Sequence, residues 1–332
     1  MKNKFFLLLS SFSLLLVACQ GNQISTSGDS SLSNTDNSAS LVLDYSIISP
    51  SGAPSLGFYP WAKSGVLSTN SSVPVVLSAF AAASYDVIVM DHSQGLKQII
   101  NNNAPYQLAR IITKGNFHLV GINKSSSDTP KTGDLIVSFG NAQGIPNQIL
   151  QKVFPSIDNL NFVSSVSDTV PVIKTGLYGG EPVDYVLTAQ PILHNIEMSG
   201  TSISYDVDMQ KKWNELSNLD GFPQAGVFVK TSLYQDNPDQ LALFISQLDE
   251  ATTNLIFHPQ IAVDAMNGYG TSDEQKALFG VDSSTVGDLQ LSEEVENAPN
   301  NMGFATGKYS LASYLEYMEQ EDYPSLAYSP LF

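Results

Sequence analysis

Short apolar runs separated by polar, small-residue breaks set the rhythm of this chain from residue 41 onward. Tyr85-Asp86-Val87-Ile88-Val89-Met90 is β-branched and almost continuously apolar, which suits a strand covered on both faces. Asp91-His92-Ser93-Gln94-Gly95 then turns polar, reading as a loop, before Leu96, Ile99 and Ile100 recur at helical spacing. Further strands are predicted at 41–48, 73–77, 108–113, 117–122, 134–139, 161–166, 183–187 and 225–230, with an antiparallel edge strand at 203–207. The helix after Pro54 is interrupted by Gly57 and Pro60 and should be short, its Tyr59 and Trp61 packing into the core or, as the second reading, forming a stacking wall in a pocket. Helical faces follow in Ile145, Ile149, Leu150 and Val153, in Val170, Ile173 and Leu177, in Leu241, Phe244, Ile245 and Leu248, and in Leu311, Tyr314, Leu315 and Met318. Asp168 is placed to cap the second of these and Gly179-Gly180 to stop it.

Strands alternating with helices predict an α/β protein, and the polar break at 123–131 divides them into two series. The expectation is two lobes: 41–122 for the first part of lobe 1, 123–217 for lobe 2, and 218–332 returning to lobe 1 with C-terminal helices. Each lobe would be a doubly wound, mostly parallel sheet. Two crossing segments, near 123–131 and 217–224, would form the hinge.

The first forty residues have a different character. Lys2 and Lys4 precede an apolar run ending at Leu16 and Val17, too short and wrongly flanked for a transmembrane helix, so 1–18 reads as a secretory signal peptide. Leu16-Val17-Ala18-Cys19 resembles the lipobox of bacterial lipoproteins. The resemblance implies cleavage before Cys19, lipid (palmitate included) on that residue, and anchorage on the extracytoplasmic face of the cell membrane. Residues 19–40 are otherwise almost wholly Ser, Asn, Thr, Gly, Asp and Gln, the composition of a disordered tether. Cys19 is the only cysteine, which rules out a disulfide framework or a cysteine-rich metal site. Losing Lys2 and Lys4 with the leader would take the net charge from −17 to −19. Such a surface repels phosphates, so nucleic acid is not an expected partner.

In open α/β sheets ligands bind beyond the carboxyl ends of strands. After the first strand, Gly52 and Pro54 favour a tight approach that turns backbone N–H groups of Ser51, Ala53 and Ser55 toward a ligand. Taken together, Ser49-Pro50-Ser51-Gly52-Ala53-Pro54, the run from Tyr85 to Met90, Ile112-Thr113-Lys114-Gly115-Asn116-Phe117-His118-Leu119-Val120, Gly180-Glu181-Pro182-Val183-Asp184-Tyr185-Val186-Leu187 before Ala189-Gln190-Pro191, and Asn237-Pro238-Asp239 carry a family likeness. In that order the chain resembles the substrate-binding lipoproteins of bacterial ABC importers, with a type II periplasmic-binding-protein fold, in the sulfonate, nitrate and thiamine-precursor binder group. The resemblance implies a monomer that captures a small-molecule solute between its lobes and passes it to an importer permease. Strand ends and resemblance together nominate Ser51, Gly52, Ala53, Asp91, His92, Ser93, Asn116, Asn141, Ala142, Thr188 and Gln190 as ligand-binding residues.

No cofactor is implied. His118 sits in an apolar strand and reads as a core residue, His92 as a residue that senses pH or contacts an anionic group or as a solvated loop residue, and His194 and His258 lack partners at metal-ligand spacing, so no metal site is expected. The loop Gly140-Asn141-Ala142-Gln143-Gly144 lacks the Lys-Ser/Thr of a phosphate loop. Two other functions remain open at this stage. An exported hydrolase would need a nucleophile, a base and an orienter, and, with neither G-x-S-x-G nor H-E-x-x-H present, a triad using Asp91, His92 or Ser93 is the candidate. An interaction lipoprotein could keep the fold without a ligand.

Overall fold

The computed structural model describes residues 40–291, 300–306 and 311–318, so the signal peptide, Cys19 and nearly all of the tether lie outside the described residues. Strands β1 (Ile47–Ser49), β2 (Leu67–Thr69), β3 (Val87–Asp91), β4 (Tyr106–Ile111) and, from far along the chain, β12 (Ala225–Lys230) form the first sheet, in the order β2-β1-β3-β12-β4. The second sheet takes β5 (Phe117–Gly121), β6 (Leu135–Phe139), β7 (Asn159–Val163), β10 (Tyr185–Ala189) and β11 (Asp206–Asp208), in the order β11-β5-β10-β6-β7. A small hairpin of β8 (Leu177–Tyr178) and β9 (Glu181–Pro182) stands apart.

Each sheet is mostly parallel, with one strand reversed. In the first, β12 runs antiparallel to β3 and β4; in the second, β5 runs antiparallel to β10 and β11. Connectivity explains both reversals. β5 and β12 are the strands the chain enters straight from a crossing between sheets, so their N-terminal ends meet the carboxyl ends of the parallel strands. Continuous burial of β3, β10 and β12 is the physical reason their sequences read as unbroken apolar runs.

Helices α1 (Ala53–Leu56), α2 (Val73–Ala81) and α3 (His92–Asn102) follow β1, β2 and β3. Helices α4 (Ile145–Val153), α5 (Thr169–Thr175), α6 (Ile192–Met198) and α7 (Met209–Ser217) clad the second sheet. After β12 come α8 (Thr231–Asp236), α9 (Pro238–Phe257), α10 (Pro259–Tyr269), α11 (Ser272–Phe279) and α12 (Ser283–Leu291). Under one face of the first sheet, Trp61 packs between Phe58 and Phe244 with tilted rings at centroid separations of 5.8 and 5.1 Å, and its Nε1 donates to the Val42 carbonyl at 2.7 Å. Leu241, Phe244, Ile245 and Leu248 of α9 fill the same cluster, as their spacing requires. A second cluster runs from Phe80 and Phe228 through Phe222 and Trp213 to Phe117 and Ile149, joining the lobes behind the cleft.

Several expectations are corrected. Residues 73–77 are the start of α2, not a strand: Pro74 supplies a first-turn φ and needs no N–H partner, and Val76 and Phe80 bury one face. The strand expected there is Leu67–Thr69. The polar stretch after β3 is no loop, because Asp91 ends the strand and at once caps α3, accepting from the N–H groups of Ser93 at 2.9 Å and Gln94 at 3.2 Å. The first crossing lies at 112–116 rather than 123–131, since β5 already pairs with β10 and β11. The polar break at 123–131 is a loop within lobe 2, where Lys124 pairs with Asp184 at 2.7 Å. Gly176, in the left-handed conformation, ends α5 ahead of Gly179-Gly180.

Candidate functional site

Strand ends of both sheets meet around one cleft. The first sheet contributes Met90 and Asp91 from the end of β3, Ala225 from the start of β12, and the turn at 50–54. The second contributes Phe117 at the start of β5, Phe139 at the end of β6, Ala189 through Ile192 after β10, and the first turn of α4. The cleft holds about 890 Å³ of empty space, its mouth included, which suits a small organic molecule.

Six of the eleven nominated residues line it: Ser51, Gly52, Ala53, Asp91, Asn116 and Gln190. Asn141 and Ala142 fall outside it and border a separate depression with Lys97 and Gln98. His92, Ser93 and Thr188 are buried and line neither. Thr188 Oγ1 meets Thr169 Oγ1 at 3.0 Å, tying β10 to α5. His92 is packed edge-on against Tyr314, its Nδ1 3.4 Å from the Gln224 carbonyl and its Nε2 without a hydrogen-bond partner. Burial pushes its pKa down, so it stays neutral. It is neither solvated nor in the cleft. Ser93 Oγ donates to Asp91 Oδ1 at 2.8 Å instead of to a histidine, so the Asp91-His92-Ser93 triad is not assembled.

Asp91 reaches across the cleft. Its Oδ2 accepts the Ile145 N–H at 2.7 Å from the second lobe, while Oδ1 holds Ser93 and Gln94 in the first. Beside it, Asn141 Nδ2 donates to Gln94 Oε1 at 2.8 Å, a second bond between lobes. At the back, amides interlock. Gln224 Nε2 donates to Asn116 Oδ1 at 2.9 Å, Asn116 Nδ2 donates to the Gln190 carbonyl at 2.8 Å, and the Gly115 N–H donates to Gln224 Oε1 at 3.1 Å. The Gly52 N–H is not offered to a ligand, as the turn at 50–54 had suggested for its neighbours, but goes to the Phe279 carbonyl at 2.7 Å; Ser55 N–H likewise turns back to Gly52 at 3.1 Å.

Sequence reasoning missed Gln94, Thr113, Ser165 and Gln224, all of which line the cleft. The available signal was position: Gln224 directly precedes the buried strand β12, and Thr113 directly follows Ile112 at the true crossing. His118 is half-buried and pairs with Asp206 at 2.9 Å across β5 and β11, a structural role. Among the described residues no group of three or more acidic, histidine or cysteine side chains is arranged to hold a metal ion. No helix among them is long and apolar enough to cross a membrane.

No family model matches the sequence, and no curated relative does. Solved structures do. The chain aligns with the alkanesulfonate-binding protein SsuA of Xanthomonas axonopodis pv. citri, bound to MOPS, at 12% identity and a TM-score of 0.54, covering 84% of this chain and 93% of that one. It aligns with the ligand-binding component of an ABC-type import system of Staphylococcus aureus, with zinc bound, at 10% identity and a TM-score of 0.58, covering 82% and 88%. With the periplasmic nitrate-binding protein NrtA of Synechocystis PCC 6803 the values are 12% and 0.54, covering 73% and 68%. Identity this low speaks for architecture alone, and on that evidence the chain has the two-lobed type II periplasmic-binding-protein fold.

Proposed function

We propose that this protein is a lipid-anchored, extracytoplasmic solute-binding protein of an ABC importer, which captures a small organic molecule between its lobes as a monomer and presents it to a permease. The observation that carries this reading is the cleft at which the strand ends of both sheets converge, bridged by Asp91 to Ile145 and Gln94 to Asn141. The fold shared with ABC import binding components supports it. Residues 112–116 and 218–224, the two crossings, are the proposed hinge; closing about them gathers contacts from both lobes only when the cleft is shut. The leader and Cys19 supply the address and the anchor.

Native mass spectrometry of the purified protein is expected to reveal a co-purified small molecule, and small-angle scattering to show compaction when that molecule is returned to stripped protein. Scattering profiles that do not change with any bound solute would contradict the reading. Exchange of Cys19 for serine is expected to release the protein from the membrane fraction; retention there would count against the lipid.

A further inference from the structure

Charge is distributed over the cleft in a way that bears on what it accepts, and the inference rests on the solute-binding reading above. Among the described residues that line it there is no lysine, arginine or histidine, and Asp91 is the single ionisable side chain. An anion entering such a site loses its water and meets no opposite charge, at a cost of several kcal/mol.

Without a basic side chain, an anion has to be met by neutral donors, side-chain hydroxyls and amides and above all backbone N–H groups at the start of a helix. Helices α1, α2, α3, α4 and α6 begin beside the cleft; the first donors of α2, α3 and α4 are used by the protein itself, and in the first turn of α6 the His194 N–H goes to Gln190 Oε1 at 3.1 Å. The N–H of His92, opening α3, goes to the Gln224 carbonyl at 3.0 Å, and those of Ser93 and Gln94 go to Asp91. In α2 the Val73 N–H faces the Ser164 carbonyl at 3.5 Å and Pro74 has no N–H. In α4 the first N–H, that of Ile145, is bound to Asp91 Oδ2 at 2.7 Å, and Pro146 follows. The protein's own carboxylate therefore occupies the N-terminus of α4, a place that could otherwise receive an anion. Nor is Asp91 left over to pair with a cation. Oδ1 accepts three hydrogen bonds, and Oδ2 accepts Ile145 N–H together with Gln94 Nε2 at 3.4 Å.

What remains is a largely apolar wall that includes Phe117, Phe139, Met90 and Ile192, punctuated by the amides and hydroxyls of residues such as Gln190 and Thr113. We propose that the cleft selects an uncharged organic solute, with an apolar or aromatic body and carbonyl, amide or hydroxyl groups, and rejects anions such as sulfonates and nitrate.

Two measurements on the full chain test this. In the first, inorganic sulfate is titrated against wild type, Asp91→Ser and Asp91→Asn. Serine keeps a cap for α3 but uncovers the Ile145 N–H, so sulfate is expected to raise the melting temperature of Asp91→Ser by roughly 2–4 °C once it exceeds its dissociation constant about tenfold. Wild type and Asp91→Asn, whose side chains fill the place, should show no shift. Stabilisation of wild type by sulfate, or of no variant, would overturn the inference. In the second, benzamide, benzoate and benzylamine, and benzenesulfonamide against benzenesulfonate, are compared by calorimetry on wild type. Tighter binding of the neutral member of each set is expected. Tighter binding of a charged member would overturn the selectivity while leaving the receptor reading intact. Binding of none, with no co-purified molecule in native mass spectra, would overturn both.

Discussion

The lobes are joined in two contrasting ways, at the back of the cleft and at its mouth. At the back, three backbone segments run side by side. Ile112 N–H donates to Ala225, Phe222 N–H to Lys114, Lys114 N–H to Gly303 and Ala305 N–H to Ile112, at 2.9, 3.2, 2.6 and 3.0 Å. Glycines make the approach possible: a Cβ on Gly303 would stand 2.1 Å from the Gly115 carbonyl oxygen, and one on Gly221 2.1 Å from that of Lys114. Trp213, Phe222, Phe117 and Tyr314 pack around this crossing. At the mouth the lobes meet through polar side chains: Asp91 to Ile145, Asn141 to Gln94, Gln148 Nε2 to Ser93 Oγ at 3.4 Å, and Thr285 Oγ1 to Asn195 Oδ1 at 2.9 Å. Such bonds contribute about 1 kcal/mol each and exchange readily for water. The difference teaches where the molecule gives way: a back fixed by backbone geometry and aromatic packing, a mouth held by bonds that solvent or a solute can replace.

The sharpest way to break the comparison is at the glycines. Gly303 has a φ of 66° and no room for a Cβ, so Gly303→Ala is expected to cost at least about 3 kcal/mol of unfolding free energy, read by chemical denaturation. A loss below about 1 kcal/mol would show that the back is not pinned as described. Next comes Gln224→Ala, which strips partners from the Gly115 N–H and Asn116 Oδ1 and is expected to cost about 2–3 kcal/mol.

At the mouth, Asp91→Asn keeps the place filled but removes the carboxylate charge that strengthens the bond from the Ile145 N–H. It is expected to cost about 1–2 kcal/mol and to raise amide exchange at Ile145 far more than at residues of β12. Equal exchange at both would erase the distinction between mouth and back.

The smallest effect lies away from both regions. At His118 burial opposes the charged ring, but the Asp206 hydrogen bond and charge prevail and raise the pKa above its ordinary 6.5. The folded protein therefore holds this proton more tightly than the unfolded chain does. The pair's contribution is fully present below pH 6.5 and is lost as pH rises through the elevated folded value. His118→Gln should cost about 0.5–1 kcal/mol in mild acid and almost nothing well above neutrality. A cost that does not vary with pH would contradict the assignment.

Much of this architecture was readable in the chain, for reasons that particular residues make plain. β3, β6, β10 and β12 are covered on both faces and so appear as unbroken apolar runs. Residues 73–77 misled because Val73, Val75 and Val76 are β-branched, while the deciding signal was Pro74 at a helix start. The crossing at 112–116 was hidden for a similar reason: Ile112 continues the apolar run of β4, and only Gly115, with a φ of 125°, marks the change of lobe. Within the site, the strand-end rule reached Asp91, Asn116, Gln190 and the turn at 51–53. It failed for His92 and Ser93 because α3 begins without a loop and turns them into the interior. It failed for Asn141 and Ala142 because the chain leaves the cleft at Gly140, whose φ is 86°. Which carboxylate oxygen meets which N–H across the lobes is long-range information that no local pattern carries.

The most direct measurement is the interlobe distance. Spin labels at Leu43 and Leu177, both exposed and on opposite lobes, in a Cys19→Ser background, would report it by pulsed electron resonance. Asp91→Asn is expected to broaden the distribution toward longer distances, and a bound neutral solute to restore the short one. An identical distribution in both proteins, unmoved by any solute, would mean that the lobes form one rigid body and that the cleft does not close.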